Sequence, residues 1–351
     1  VNAPQPPKPR PAARPGEFIF AAAHLEHGHI YGQCAGLIEA GAELRYVFEP
    51  DPAKLAAFLA SHPTAIPVDS FDRILDDPAV RLVAAAAVPS ERGPIGCRVM
   101  QAGKDYFTDK TPFTALDQLE EARRVVAETG RKYFVYYSER LHSECAVHAG
   151  RLIAEGAIGR VIHVTGFGPH RLGPPEGRPA WFYERARYGG ILADIGSHQI
   201  EQFLFYSGAT DATVLSATVA NTNHPAQPEL EDFGDAHLLG DNGASNYFRV
   251  DWLTPAGSRV WGDGRTFIVG TRGTIELRKF IEVARDDGGD QLYLVNEAGE
   301  TRLSLAGRVG HPFFGELILD CLHRTEIAMT QAHTFKAAEL CLRAQAAANR
   351  R

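Results

Sequence analysis

Six short apolar runs, separated by stretches with helical periodicity, occupy the chain from Glu17 to about Tyr137 and constrain its fold more than any other feature. They are FIFAAA from Phe18, ELRYVF from Glu43, AIPV from Ala65, LVAAAAV from Leu82, DYFT from Asp105 and KYFVYY from Lys132. Runs that are continuously apolar rather than alternating belong to strands buried on both faces, as in a parallel sheet covered by helices. Helices are expected between them at 30–40, 52–61, 71–76, 92–102 and 115–128. Pro52 falls at a first helical position, Gly41, Gly103 and Gly130 follow helix ends, and Thr114 with Asp117 forms a capping-box pattern. The expectation is a doubly wound, Rossmann-like α/β domain over residues 17–138.

After Tyr137 the pattern changes to a helix at 143–155, the strand RVIHVTGF, an irregular Gly/Pro stretch at 168–177 and a helix at 191–206. Strand-like segments then run from Thr213 to about Leu303, followed by helices at 313–329 and 335–348. Consecutive strands flanked by helices predict an α+β domain over 139–351 with a mostly antiparallel sheet. Such a sheet keeps one face open, and alternate residues of YFRVDWL around Trp252 would present aromatics there. An open apolar face calls for a partner, so a homodimer or homotetramer joined through it is expected. The first 16 residues, VNAPQPPKPRPAARPG, are expected to form a disordered, proline-rich leader.

A net charge of −7 argues against nucleic acid or an anionic membrane as partner and for a small molecule. No apolar run reaches the roughly 18 residues of a membrane span, and the leader has neither an apolar core nor a twin-arginine pair. Cys34, Cys97, Cys145, Cys321 and Cys341 are odd in number, scattered, and without a Cys-x-x-Cys pair, which favours free thiols in a reducing compartment. The chain reads as cytoplasmic.

A dinucleotide-binding domain places a glycine-rich turn after its first strand, so that backbone can approach a pyrophosphate at a helix N-terminus. Here that segment is AAAHLEHGHIYGQ. With the last glycine of G-x-G-x-x-G on Gly28, Ala23 and Leu25 take the first two positions, and the Leu25 side chain competes for space with the pyrophosphate. Glu49, closing YVFEPDP, sits where a carboxylate binds the adenosine ribose hydroxyls and disfavours a 2′-phosphate, which points to NAD, with NADP as the alternative. Pro89, after the fourth run, completes this set. His24, His27 and His29 have no carboxylate or thiolate cluster beside them in sequence, so no metal site is expected; they bond to phosphates or substrate, or pack in the loop.

Two further segments carry chemistry. AGKDYFTDKTPFT puts Asp109 and Lys110 at the carboxyl end of a predicted parallel strand, where ligands bind in open α/β sheets. YGGILADIGSHQIEQFLF puts Asp194 and His198 at i and i+4, on one face of a helix. A lysine can polarise a reacting oxygen, a histidine can take its proton near neutral pH, and a carboxylate can fix a neighbouring hydroxyl, while a nicotinamide accepts hydride.

These motifs resemble the A-G-K-x-x-x-x-[ED]-K and G-G-x-x-x-D-x-G-x-H patterns of the Gfo/Idh/MocA oxidoreductases, and the resemblance extends over nearly the whole chain from Glu17. It implies an open-faced C-terminal sheet, NAD or NADP, and oxidation or reduction of sugars, inositols and related polyols. It further implies that Lys110 is the catalytic lysine, Asp194 a substrate-contacting aspartate and His198 the acid/base histidine. Members commonly follow the lysine with proline, whereas Thr111 precedes Pro112 here. Redox-neutral members also exist, so an NAD-retaining lyase, glycosidase or epimerase is an alternative; a non-catalytic sugar or nucleotide sensor is another, motivated by the missing glycines. Glu139, Arg140, His170, Arg171, Trp181 and Arg187 are candidates for binding a polyhydroxylated or anionic substrate, since guanidinium groups grip carboxylates and indole stacks on sugar rings. The competing reading is surface arginines paired with Glu176 and Glu184.

Overall fold

The six apolar runs become one parallel sheet in the computed structural model, which describes residues 11–174, 177–285 and 288–350. Its strands are β1 (Ile19–Ala23), β2 (Glu43–Phe48), β3 (Ile66–Pro67), β4 (Val80–Ala85), β5 (Asp105–Asp109) and β6 (Tyr133–Tyr136), in the order β3-β2-β1-β4-β5-β6. The connections are α1 (His29–Glu39), α2 (Pro52–Ser61), α3 (Phe71–Leu75), α4 (Pro89–Gln101) and α5 (Leu116–Thr129). The order reverses between β1 and β4, which opens a crevice at the carboxyl ends of the strands. β1 is buried along its whole length, which explains its unbroken apolar run, and β5 is equally buried although it carries Asp105, Thr108 and Asp109.

Most helix ends follow the local signals. The Asp51 carboxylate accepts from the amides of Ala53 and Lys54 at the start of α2, and Gly130 ends α5 at φ 64°, a left-handed geometry that suits glycine. The expected Thr114–Asp117 box is replaced: Gln118 Oε1 accepts from the Thr114 amide at 3.0 Å, because glutamine has the reach to close that turn. Helix α4 starts at Pro89, earlier than expected, with the proline in its first turn where no amide is missed.

The first unit comprises residues 11–136 together with Pro312–Phe335, a segment that the contiguous reading assigned to the second domain. The helix Pro312–His323 brings Phe313 within 5.9 Å of Phe107 and Phe314 within 6.1 Å of Tyr136. A Cβ on Gly36 would stand 2.3 Å from Phe314 Cζ, so only glycine lets α1 accept that ring. The expected helix to residue 329 stops at His323: Arg324 takes φ 57°, and Asp320 accepts from the amides of Ile327 and Ala328. Residues 1–10 of the expected leader lie outside the described residues. Residues 11–16 have no helix or strand, yet they are not loose: the Ala12 amide donates to Ala40 at 2.8 Å and Ala13 is buried.

The second unit comprises Tyr137–His311 and residues 336–350. Helices α6 (Ser138–Leu141) and α7 (Glu144–Ala154) lead to β7 (Val161–Pro169), then α8 (Arg185–Tyr188), α9 (Ile191–Asp194) and α10 (Gly196–Ser207). There follow β8 (Ala212–Ala220), β9 (Phe233–Gly240), β10 (Ser245–Asp251), β11 (Arg265–Gly270), β12 (Gly273–Arg278), β13 (Gln291–Asn296), β14 (Gly299–Ser304) and, near the end, β15 (Asn349–Arg350). The sheet order is β14-β13-β12-β11-β7-β10-β9-β8-β15; only β7 with β10 and β8 with β15 pair in parallel. Helix α10 lies close on β7, where a Cβ on Gly166 would stand 2.0 Å from Gln199 Oε1.

The other face of this sheet carries Tyr247, Leu239 and Val295, all more than a third exposed. The expectation for YFRVDWL needs correction: Phe248 and Trp252 are buried, and of its aromatics only Tyr247 is on the open face. Antiparallel alternation sends neighbouring residues to opposite sides, and the side packed by α10 takes Phe248. All five cysteines are free and buried. Among the described residues no helix is long and apolar enough to cross a membrane.

Candidate functional site

In the first unit the predicted cofactor residues gather along the carboxyl edge of the sheet. Ala23 ends β1, fully buried, and His24 turns the chain at φ 54°. The His24 ring sits edge-on to Phe48 and Phe71; burial, aided by Arg98, brings its imidazole down to about 4. Leu25 does not project toward a ligand. It is 8% exposed, and its amide donates to Glu49 Oε2 at 2.6 Å. The obstruction expected from a leucine at the second glycine position is thereby removed, because the side chain folds inward. Glu49 is buried as well, with its second oxygen accepting from the Asp51 amide at 2.9 Å. A carboxylate held by two amides keeps lone pairs for ribose hydroxyls. Gly28 caps α1, and Pro89 opens α4, buried. The turn thus fits a dinucleotide although it lacks two glycines.

Lys110 and Asp109 follow from the position of β5. Lys110 is 4% exposed, its carbonyl accepts from Arg92, and its bond to Thr111 is cis. Asp109 is wholly buried among donors: His29 Nδ1 at 2.8 Å and the Lys110 amide at 2.8 Å on one oxygen, His27 Nδ1 at 3.0 Å and Arg92 Nη2 at 3.3 Å on the other. Burial opposes its charge, yet His29, Arg92 and His27 hold its carboxyl well below the usual range. Burial, with His29 adding to it, brings the His27 imidazole down to about 4. A carboxylate only accepts, so the proton of the His29 contact sits on His29 Nδ1, whereas His27 Nδ1 also lies 3.3 Å from the His29 amide, which donates to it. The premise behind expecting no metal fails in three dimensions: a carboxylate does stand beside these histidines, supplied by Asp109, 80 residues on from His29.

In the second unit Asp194 ends α9, and Ile195 keeps helical dihedrals of −74° and −37°, so His198 follows about one turn later. Both side chains are buried. Burial lowers the basicity of Arg178, and the Asp194 carboxylate opposes that. His198 acts on Glu139, whose Oε2 accepts from Lys279 Nζ at 3.0 Å and Gln199 Nε2 at 3.0 Å. Burial opposes the Glu139 charge, but Lys279, His198 and His170 bring its carboxyl down to about 2. Glu139 Oε1 is buried and, among the described residues, without a hydrogen-bond partner.

The remaining substrate candidates divide. The His170 ring lies 4.4 Å from that of Trp261, tilted by 52°, and its Nδ1 bonds the Gly168 carbonyl. Trp181 is buried beside Phe182. Arg140 is committed internally, gripping Glu201 with two nitrogens and lying 3.8 Å over the Phe205 ring. Arg171 bonds the carbonyls of Ser258 and Val260, and so anchors a loop. Arg187 faces solvent 3.8 Å from Glu184, the surface pairing weighed against a substrate role; Glu176 lies outside the described residues. Arg92, Tyr136, Lys279 and Gln199 escaped the sequence reading, although an arginine and a lysine at the ends of buried elements were a signal. A cavity of about 510 Å³ opens beside Arg249, Asp251, Leu253 and Arg259, and none of the predicted residues lines it.

Sequence profiles agree with this anatomy. The profile of the oxidoreductase family with an NAD-binding Rossmann fold matches residues 19–137, and the GFO/IDH/MocA C-terminal domain matches 147–276. A crystal structure of a provisionally named oxidoreductase from Erwinia carotovora atroseptica is 50% identical, with a TM-score of 0.92 over 95% of this chain and 99% of that one. The scyllo-inositol 2-dehydrogenase (NAD(+)) of Bacillus subtilis (strain 168) is 27% identical over 204 residues, 58% of this chain and 56% of that protein. The D-xylose dehydrogenase of Paenarthrobacter nicotinovorans is 29% identical over 153 residues, 42% of this chain and 38% of that protein. The chain thus spans about half the length, or less, of these curated relatives.

Proposed function

The chain belongs to the Gfo/Idh/MocA oxidoreductase family, and from that premise we propose that it is a nicotinamide-dependent dehydrogenase or reductase. Its substrate is a secondary alcohol, or the matching carbonyl, of a sugar, polyol or related hydroxylated molecule. The observation that carries this reading is the carboxyl edge of the parallel sheet, where an inward Leu25 frees the turn, Glu49 stands at the end of β2 and Lys110 at the end of β5. Relatives named as inositol and xylose dehydrogenases support the substrate class.

Bound nicotinamide would supply the hydride acceptor or donor. Gly28 and the start of α1 would hold the pyrophosphate, and Glu49 the ribose hydroxyls, with NAD preferred because a 2′-phosphate would meet that carboxylate. Lys110 is assigned to polarise the reacting oxygen, His198 to take or return its proton, and Asp194 to fix a neighbouring hydroxyl. The open face bearing Tyr247 and Leu239 is assigned to self-association, as a homodimer or homotetramer.

Turnover measured across a panel of sugars and polyols tests this reading. Lys110→Ala and His198→Ala should each lower kcat about 10²- to 10⁴-fold while the variants remain folded and bind NADH. Substrate consumption without accumulation of reduced cofactor would replace the reading by a redox-neutral one. Ligand-induced stabilisation without turnover on any substrate would replace it by a sensor.

A further inference from the structure

We propose that His27, His29 and Asp109 form a binding site for one divalent first-row transition metal ion of the zinc class, with a coordination position left open. The proposal rests on geometry within the first unit. Two imidazole nitrogens approach the two oxygens of a single buried carboxylate at 2.8 and 3.0 Å, and ligand atoms of all three residues lie within 4.8 Å of one another. Zinc bonds of about 2.0–2.1 Å in a tetrahedron put neighbouring ligands about 3.3 Å apart. Drawing the three ligand atoms together from within 4.8 Å to that spacing exchanges their contacts with one another for three metal bonds.

The surroundings suit an ion. The His27 and His29 side chains are 24% and 32% exposed, so solvent reaches them, while Asp109 is fixed at the end of the buried strand β5. Outer partners hold two of the ligands in place: the Lys110 amide and Arg92 on Asp109, and an edge contact of 5.7 Å between His29 and the Tyr136 ring. Two imidazoles and one carboxylate select zinc, cobalt or iron(II) over magnesium or calcium, which require oxygen ligands. His24 is not a ligand, because its ring is packed edge-on against Phe48 and Phe71. Arg92 already balances the Asp109 charge, which keeps affinity below that of closed structural zinc sites.

Equilibrium dialysis of the untagged, metal-stripped full chain against Zn²⁺, read as metal content per chain, tests the proposal without reference to activity. One saturable equivalent is expected, with affinity weakened more than about 100-fold in His27→Ala and in His29→Gln and unchanged in His62→Ala. The wild-type protein loaded with Co²⁺ should show ligand-field absorption of imidazole-bound cobalt, a readout that does not depend on any variant folding. No saturable equivalent of Zn²⁺, a featureless Co²⁺ spectrum, or an equivalent that survives both histidine substitutions would each overturn the site and leave a clamp held by protons alone.

Discussion

Asp109 in the first unit and Glu139 in the second are both buried among nitrogen groups, and the two are satisfied differently. Asp109 meets four donors, two per oxygen, from His27, His29, Arg92 and the Lys110 amide. Glu139 has Lys279 and Gln199 on one oxygen and, among the described residues, no hydrogen-bond partner on the other. The first arrangement is redundant, so it tolerates the loss of one donor. The second depends on a single ammonium and leaves a buried acceptor, which is the condition of a position where a substrate hydroxyl or a water would bond.

The contrast breaks most readily at Lys279. Lys279→Met should cost about 3–5 kcal/mol in urea denaturation, because it strands a buried carboxylate. A loss below about 1 kcal/mol would show that Glu139 is reached by water and would erase the difference between the regions.

The pH dependence of stability should separate the two next. His27 is near 4 when folded against 6.5 in the free side chain, so the unfolded chain takes up a proton that the folded one refuses, and stability falls as pH drops from 6.5 to 4. Glu139 is near 2 against 4.5, so its contribution is complete above 4.5 and is lost as pH falls from 4.5 to 2. Each effect is on the order of 3 kcal/mol. Thermal melts across this range should show the upper slope flattened in His27→Asn and the lower one flattened in Glu139→Gln; a single common slope would merge the regions.

A smaller effect sharpens the comparison. His29→Gln should cost only about 1 kcal/mol, since three donors remain on Asp109.

The sequence disclosed what local physics controls. Strands buried on both faces leave continuous apolar runs, and Asp51 before Pro52 marks a helix start, so the parallel sheet was legible element by element. The placing of Lys110 just after β5, and of Asp194 and His198 about a turn apart, was legible through their motifs, while their roles belong to the proposal. Contacts made by residues far apart were not: Phe314 seats on Gly36, and Asp109 joins His27 and His29, with nothing in the local pattern to announce either. The direction of Leu25 was also invisible, because an apolar residue in a turn reads the same whether it faces a ligand or the core. Arg140 and Arg171 looked available for a substrate because their partners, Glu201 and the carbonyls of Ser258 and Val260, lie 61 or more residues away.

On the proposed function, this turn binds a nicotinamide dinucleotide without two of the usual glycines. Fluorescence titration of the full-length protein with NADH and with NADPH tests it most directly. One saturable site per chain is expected for NADH, with weaker binding of NADPH and loss of that preference in Glu49→Ala. Absence of saturable binding of either dinucleotide would contradict it.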